Sequence, residues 1–342
     1  MNTMRILVLM HELLVPPDTL EGHSEKEILE WRTEFDVVQG LRKLGHEVKP
    51  LGVYSDLTPI RQAIDEFKPR IVFNLLEEFH AVQLYDHAVV SFLELMRTPY
   101  TGCNPRGLML ARDKALAKKI LLYHRVPVPR FAVFPVGRKV HRPRKLGFPL
   151  LVKSQVDEGS VGIAQASVVN DDEKLAARVA HIHEHLGSDA IAEEYIDGRE
   201  LYCSVIGNQR LDTFVVWELL FTKLRPDAPR IATERVKWDE KYQQQIGIKA
   251  GPAENLPDGM GDRIKRLCKR VYRILGLSGY ARMDLRLAED GRIYLIEVNP
   301  NPELAVGSEF PESSRRSGME YGEMLQRIIN LGLNFRAHWR KV

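Results

Sequence analysis

Two periodicities divide this chain. Its first third sets short, almost continuous apolar runs between segments whose apolar residues recur every three or four positions. Met4–Met10 is such a run and predicts a buried strand. Ile28, Trp31, Phe35, Val38 and Leu41 then keep helical spacing, predicting one long helix over Ser24–Leu44 that Gly45 stops. A second strand over His46–Val53, a short helix over Leu57–Phe67 and a third strand over Arg70–Leu75 follow. Strand–helix–strand–helix–strand implies a parallel sheet with right-handed crossovers, hence a small doubly wound α/β unit. No G-x-G-x-x-G follows the first strand, so the dinucleotide fingerprint is missing.

Beyond a turn-rich segment at Pro99–Pro105, a helix is expected from Arg112 to His124, ended by Pro127 and Pro129. Phe131–Phe134 and Pro149–Lys153 predict strands, and Asn170–Asp171 caps a helix running to Leu186. From there alternation takes over, as in an α+β region. Ala190–Ile196 is expected to turn at Asp197-Gly198 and pair with Glu200–Ile206, with Leu211–Leu220 continuing the antiparallel sheet. Lys223–Gly251 is polar and irregular, long enough to be a lid or a disordered segment. A helix over Asp258–Leu275 leads into two alternating runs, Tyr280–Leu287 and Arg292–Pro300, joined through Glu289-Asp290-Gly291 as a hairpin. A last helix is expected over Tyr321–Leu331. At 342 residues the chain exceeds one core of usual size, and the pattern suggests units at 1–105, 106–189 and 190–342.

The hairpin carries the densest chemistry. Arg282 and Asp284 share one face of the first strand, and Glu297 and Asn299 share a face of the second. Folding can bring the two together. Two carboxylates and an amide oxygen suit Mg²⁺, a hard cation usually shared with phosphates; the alternative is an edge hairpin with solvated charges. Ser154–Gly162 is a polar loop punctuated by Gly159 and Gly162, where backbone N–H groups can approach a phosphate beside Lys153. By itself such a loop is more often a plain hairpin connection. His181 and His185 have the i,i+4 spacing of some zinc sites, but H-E-x-x-H is not met and a solvated helix face is the simpler expectation. Glu77, Glu78 and His80 follow the third strand, where open parallel sheets bind ligands; they are either a seat for a substrate amine or surface acids.

Net charge narrows the partners. A balance of +3, from 49 basic and 46 acidic residues, argues against nucleic acid or a membrane surface as partner. No apolar run reaches the roughly 18 residues of a membrane span. Cys103, Cys203 and Cys268 lack any CxxC spacing, which speaks against zinc or a disulfide framework and for the cytoplasm.

Taken in order, the pieces resemble the ATP-grasp ligases, most closely the D-alanine–D-alanine ligase family. The resemblance spans residues 92–332 and begins with Glu94-Leu-Met-Arg-Thr-Pro-Tyr-Thr-Gly102 and Arg112-Asp-Lys114. It continues through a strand Lys with its loop, Glu-Glu-x-x-x-Gly-x-Glu, Lys-Tyr, Arg-x-Asp and Glu-x-Asn. It implies an ATP-grasp fold behind an N-terminal doubly wound domain, with ATP and two Mg²⁺ ions as cofactors and Mn²⁺ as a substitute. Lys114 and Lys153 would hold the α- and β-phosphates, and Gly159, Ser160 and Gly162 would cover them. Glu193, Glu194 and Ile196 fall at the adenine hinge, and Glu200 at the ribose. Lys241 would reach the γ-phosphate, with Tyr242 beside it. Asp284, Glu297 and Asn299 match the metal ligands, and Arg282 the arginine that steadies the transferring phosphate. The family converts a carboxylate to an acylphosphate that an amine attacks, forming an amide; often it works as a homodimer.

The substrate half departs from the family. Its Gly-Gly-x-Ser-x-Glu is replaced by His11-Glu12-Leu-Leu-Val-Pro, and its His-Gly-x-x-Gly-Glu-Asp-Gly by Asn74–Ala81. Asn299-Pro-Asn-Pro-Glu-Leu304 puts Glu303 where the family has a glycine, and Ser308 matches a substrate-contacting serine next to a replaced residue, Glu309. The expectation is an ATP- and Mg²⁺-dependent carboxylate–amine ligase for an amino acid or small peptide other than D-alanine. A non-catalytic or regulatory ATP-binding protein, and carboxylation of a carrier, are the competing expectations.

Overall fold

The computed structural model describes residues 3–157, 159–225 and 228–337. Its strands form three sheets. In the first, β1 (Arg5–His11) lies between β2 (Glu47–Val53) and β3 (Ile71–Asn74), all parallel. The expected long helix is instead two, Glu25–Glu30 and Arg32–Lys43, broken at Trp31. The first of them buries nothing and is held by the Ser24–Glu27 capping box. The second inserts Val37, Val38 and Leu41 beneath the sheet. Packing, which periodicity alone does not reveal, ends one helix and starts the next.

A helix over Asp86–Leu95, which the periodicity did not mark, leads on to the second unit, and the expected 112–124 helix becomes Pro105–Arg112 and Lys114–Tyr123 around Asp113. Arg112 and Asp86 form a buried pair at 2.8 Å between these segments. The second sheet orders as β4 (Phe131–Phe134), β7 (Ala190–Glu194), β5 (Leu150–Ser154) and β6 (Val168–Val169), all antiparallel. The helix Asp172–Leu186 covers it through Leu175, Val179 and Ile182.

The third sheet runs β11 (Ile248–Pro252), β10 (Trp217–Phe221), β8 (Arg199–Gly207), β12 (Tyr280–Leu287) and β13 (Ile293–Pro300), with β9 (Leu211–Thr213) alongside β8. The expected pairing of Ala190–Ile196 with Glu200–Ile206 does not occur. β7 belongs to the second sheet and β8 to the third, so Tyr195–Gly198 is a crossing between sheets. The polar 223–251 stretch contains helices Glu234–Trp238 and Glu240–Ile246 before β11, while Pro226 and Asp227 lie outside the described residues. Glu309–Arg316 is a further helix that the sequence reading passed over. The last helix, Tyr321–Asn334, returns to the first sheet, where Met324, Leu325, Ile328 and Ile329 pack on Ile6, Val8 and Phe73. Each such aliphatic side chain contributes about 1.5–3 kcal/mol on burial, so the chain's end fastens its beginning. Cys203 and Cys268, distant in sequence, meet as free thiols in the core.

Candidate active site

A cavity lies between the second and third sheets, lined in part by Tyr195 and Ile196 of the crossing. Gly198 has φ +140°, and a Cβ there would meet the Leu287 carbonyl oxygen at 2.2 Å, so only glycine lets the crossing pass this close to β12. Glu193 points inward and is 1% exposed, whereas Glu194 faces the rim, pairing with Arg130 at 2.8 Å. Leu151, Ile163, Ile196, Leu285 and Ile296 give the cavity apolar walls. At its edge Glu200 accepts from the Tyr202 hydroxyl at 2.8 Å and from Arg286 at 2.6 Å.

The hairpin supplies the opposite end. The antiparallel register sets Arg282 across from Asn299 and Asp284 across from Glu297, so all four share one face of one sheet. The two faces expected from the sequence are therefore one. A bulge after Asp284 leaves Ile296 without a partner in β12. It shifts the phase of β13: Leu295 and Val298 both enter the core while Ile296 and Glu297 line the cavity. Without that extra residue, strict alternation would have put Leu295 and Glu297 on the same side.

Lysines from two elements meet this face. Lys114, at the start of its helix, is 3.0 Å from Glu297, and its Nζ also donates to the Asp157 carbonyl. Lys153, at the end of β5, lies 3.7 Å from Glu297 and 3.6 Å from Glu193. Lys118, one turn after Lys114, lies 3.4 Å from Glu193 and donates to the Ile296 carbonyl that the bulge presents. Burial alone would raise the Glu297 carboxyl, but Lys114 and Lys153 hold it well below the usual range. Burial brings Lys118 down to about 8, with Glu193 opposing the fall and Lys153 adding to it. Burial would also lower Lys153, but Glu193 and Glu297 raise it above the ordinary lysine value. Arg282 holds Asp284 through two bonds, at 2.8 and 3.1 Å, and lies over the Tyr202 ring at 4.8 Å. Burial nonetheless leaves the Asp284 carboxyl raised.

The two expected covering loops touch each other. Gly162 N–H donates to the Glu234 carboxylate at 3.0 Å, and Glu234 N–H donates to the Ile163 carbonyl at 3.0 Å. Gly159 and Ser160 line the cavity; Glu158 of the same loop lies outside the described residues.

Of the residues singled out in the sequence, Lys114, Lys153, Gly159, Ser160, Glu193, Glu194, Ile196, Glu200, Asp284, Glu297 and Asn299 come together around this cavity, with Arg282 bonded to Asp284 behind it. Gly162 ties the loops instead of lining the cavity. Lys241 is exposed on the helix Glu240–Ile246, whereas Lys237, one helix earlier, lines the cavity. Tyr242 lies outside as well, beneath the Arg235 guanidinium at 4.1 Å. Glu77, Glu303 and Ser308 sit apart, toward the first sheet, where the Ser308 hydroxyl donates to the Ala305 carbonyl at 2.8 Å. His181 and His185 stack on each other at 4.2 Å on an exposed helix face, which matches the simpler expectation. Lys118, Tyr202 and Arg286 were missed, although spacing could have found them. Lys118 is four residues after Lys114 on one helix face, and Tyr202 and Arg286 alternate with Glu200 and Asp284. Nothing in the irregular stretch marks Lys237.

The donor set fits Mg²⁺. Among the described residues no group of three or more His, Cys, Asp and Glu could enclose a metal. Two opposed carboxylates and the Asn299 amide, whose nitrogen is buried without a hydrogen-bond partner, instead form an open oxygen-bearing face. Mg²⁺ is bound in this way when substrate phosphates complete its shell.

A nucleotide-sized cavity between two antiparallel sheets, behind a small parallel-sheet unit, defines the ATP-grasp class. The model of the D-ala D-ala ligase C-terminus matches residues 124–330. The D-alanine–D-alanine ligase of Desulfotalea psychrophila is 30% identical over 284 residues, 82% of this chain and 84% of that protein. That of Desulforudis audaxviator is 28% identical over 315 residues, 91% of this chain and 95% of that protein. In three dimensions the crystal structure of D-alanine–D-alanine ligase from Bacillus anthracis complexed with ATP covers 99% of both chains, with a TM-score of 0.75 at 24% identity. The chain belongs to the D-alanine–D-alanine ligase family.

Proposed function

We propose that this protein is an ATP- and Mg²⁺-dependent carboxylate–amine ligase that joins an amino acid or small peptide other than D-alanine, releasing ADP and phosphate. The observation that carries this reading is the array of Lys114, Lys153, Asp284 and Arg282 around Glu297. Phosphoryl transfer needs positioning and charge neutralisation more than covalent help, and this face offers both. Bound Mg²⁺, held by Asp284, Glu297 and Asn299, would supply neutralisation between the β- and γ-phosphates. Lys114 and Lys153 hold the α- and β-phosphates, Glu200 takes the ribose hydroxyls, and the apolar walls beside Glu193–Ile196 take the base. Lys237 replaces Lys241 as the lysine for the γ-phosphate. Arg282, already committed to Asp284, steadies charge on the transferring group. The paired covering loops keep water from an acylphosphate that would otherwise hydrolyse. We put the boundary between the two larger units after Glu194, five residues beyond the expected division, because β7 pairs with β4 and β5. Three free, buried cysteines support a reducing compartment.

The test is phosphate release from Mg·ATP across amino acids and dipeptides, singly and in pairs, with mass spectrometry of the products. Turnover that requires two components, giving a product of their summed mass less water, is expected from the wild type; Asp284→Asn should lose it while folding normally. ATP binding without turnover in every mixture would favour the non-catalytic alternative, and a D-alanyl-D-alanine product would sink the substrate clause.

A further inference from the structure

Strand β13 ends one residue after Asn299, and what fastens that end is a side chain. Pro300 and Pro302 have no N–H to donate. Between them Asn301 alone can donate from its backbone, and its N–H reaches the Tyr280 carbonyl only at 3.3 Å. Asn301 is left-handed, with φ +51°, a conformation that asparagine tolerates better than most residues. The firmer bond comes from its amide: Oδ1 accepts from Cys103 N–H at 2.8 Å, a partner 198 residues away in sequence.

The partner segment admits that amide closely. Gly102 has φ +90°, and a Cβ there would meet Asn301 Oδ1 at 2.4 Å, so only glycine allows the approach. The segment is held on both sides. Thr101 N–H donates to the Val72 carbonyl of β3 at 2.9 Å, tying it to the parallel sheet. Asn104 N–H donates to Ser278 Oγ at 2.9 Å, two residues ahead of β12. Asn299, by contrast, has its amide nitrogen buried without a hydrogen-bond partner among the described residues. Where its side chain lies is therefore set by the backbone that carries it.

We propose that Asn301 is a positioning residue, whose amide anchors the end of β13 to Gly102–Cys103 and thereby holds Asn299 in place for Mg²⁺. This rests on the assignment of Asn299 to the metal face. Asn301 does not line the cavity, so its effect passes through the strand end. Partners one step behind a metal ligand orient it, and losing one typically costs about ten- to a hundredfold in metal affinity. The link also makes the parallel sheet part of the scaffold of a metal face borne by another sheet.

Calorimetry of a non-hydrolysable ATP analogue on the full chain, with excess Mg²⁺ and with EDTA, tests this. Asn301→Gly keeps the left-handed backbone and removes the amide. It is expected to weaken the analogue about tenfold with Mg²⁺ and to leave the metal-free affinity unchanged. Asn301→Asp returns an oxygen to the Cys103 N–H and should recover most of the loss. Asn301→Ser, with a shorter side chain, gives the same reading should glycine unsettle the turn. Equal weakening with and without Mg²⁺ would mean a loosened fold and would overturn the proposal. So would undiminished binding by the glycine variant, or no recovery with aspartate. Asn299→Ala reads the assignment beneath. If it keeps the full Mg²⁺ dependence, Asn299 is no ligand and the proposal falls with that assignment. If it lowers the dependence while Asn301→Gly does not, the assignment stands and the proposal alone falls.

Discussion

The cavity between the two antiparallel sheets and the edge of the parallel sheet handle buried charge in opposite ways. In the cavity every buried acid has a cation at hand: Glu297 has Lys114 and Lys153, Glu193 has Lys118 and Lys153, Asp284 has Arg282. At the parallel edge Glu34 is buried without one among the described residues, and the charges of Glu77 and Glu303 bear on it. The first arrangement has its lysines already held by carboxylates. The second leaves burial to dominate, and the Glu34 carboxyl is raised by it. Paired and unpaired burial of charge thus leave different electrostatic signatures in one molecule.

Breaking the paired region should have the largest effect. Glu297→Gln removes the carboxylate shared by two lysines and is expected to lower ATP-dependent phosphate release by about a hundredfold or more, the scale for one preorganised electrostatic group. Steady-state assays at saturating ATP would show it, and retained activity would remove Glu297 from the site. Lys118→Met tests the deeper pair. It leaves Glu193 with Lys153 alone and detaches the Ile296 carbonyl, so the KM for ATP should rise by about tenfold while the KM for the second substrate stays fixed. The smallest effect sharpens the contrast from the unpaired side. The Glu34 carboxyl is raised in the folded chain, so its protonated form stabilises the fold fully below about pH 4.5, and that stability is lost as pH rises toward 8. Glu34→Gln cannot ionise. Thermal unfolding should therefore show the variant gaining on the wild type between pH 5 and 8.5, by an amount on the order of 1–3 kcal/mol. A constant difference across that range would mean that Glu34 has a partner.

Much of the cavity could be read from the sequence because its chemistry is carried by local spacing. Arg282-x-Asp284 and Glu297-x-Asn299 sit two apart on strands, so each pair is fixed to one face by geometry. Lys153 followed by a glycine-punctuated loop is equally local. Reading failed where long-range packing decides. Helical spacing ran unbroken through Trp31, but the break there arises because the first helix buries nothing. Asp197-Gly198 looked like a hairpin turn, yet it joins two sheets, because β7 finds β4 and β5 and β8 finds β10 and β12. Lys241 was marked by a two-residue motif, while the two short helices set Lys237 against the cavity.

By itself the sequence determined the type and order of most elements, the residues of the hairpin face and the family. These rest on period-2 and period-3.6 patterning and on motifs a few residues long. The tertiary structure alone decided that Arg282, Asp284, Glu297 and Asn299 share a single face, since that depends on the register between β12 and β13 and on the bulge at Ile296. It alone placed Lys118 against Glu193, and brought Glu34, Glu77 and Glu303 from three distant segments to one edge. Charge is written in the sequence residue by residue, but whether a charge is paired depends on distances that form only when the chain has folded.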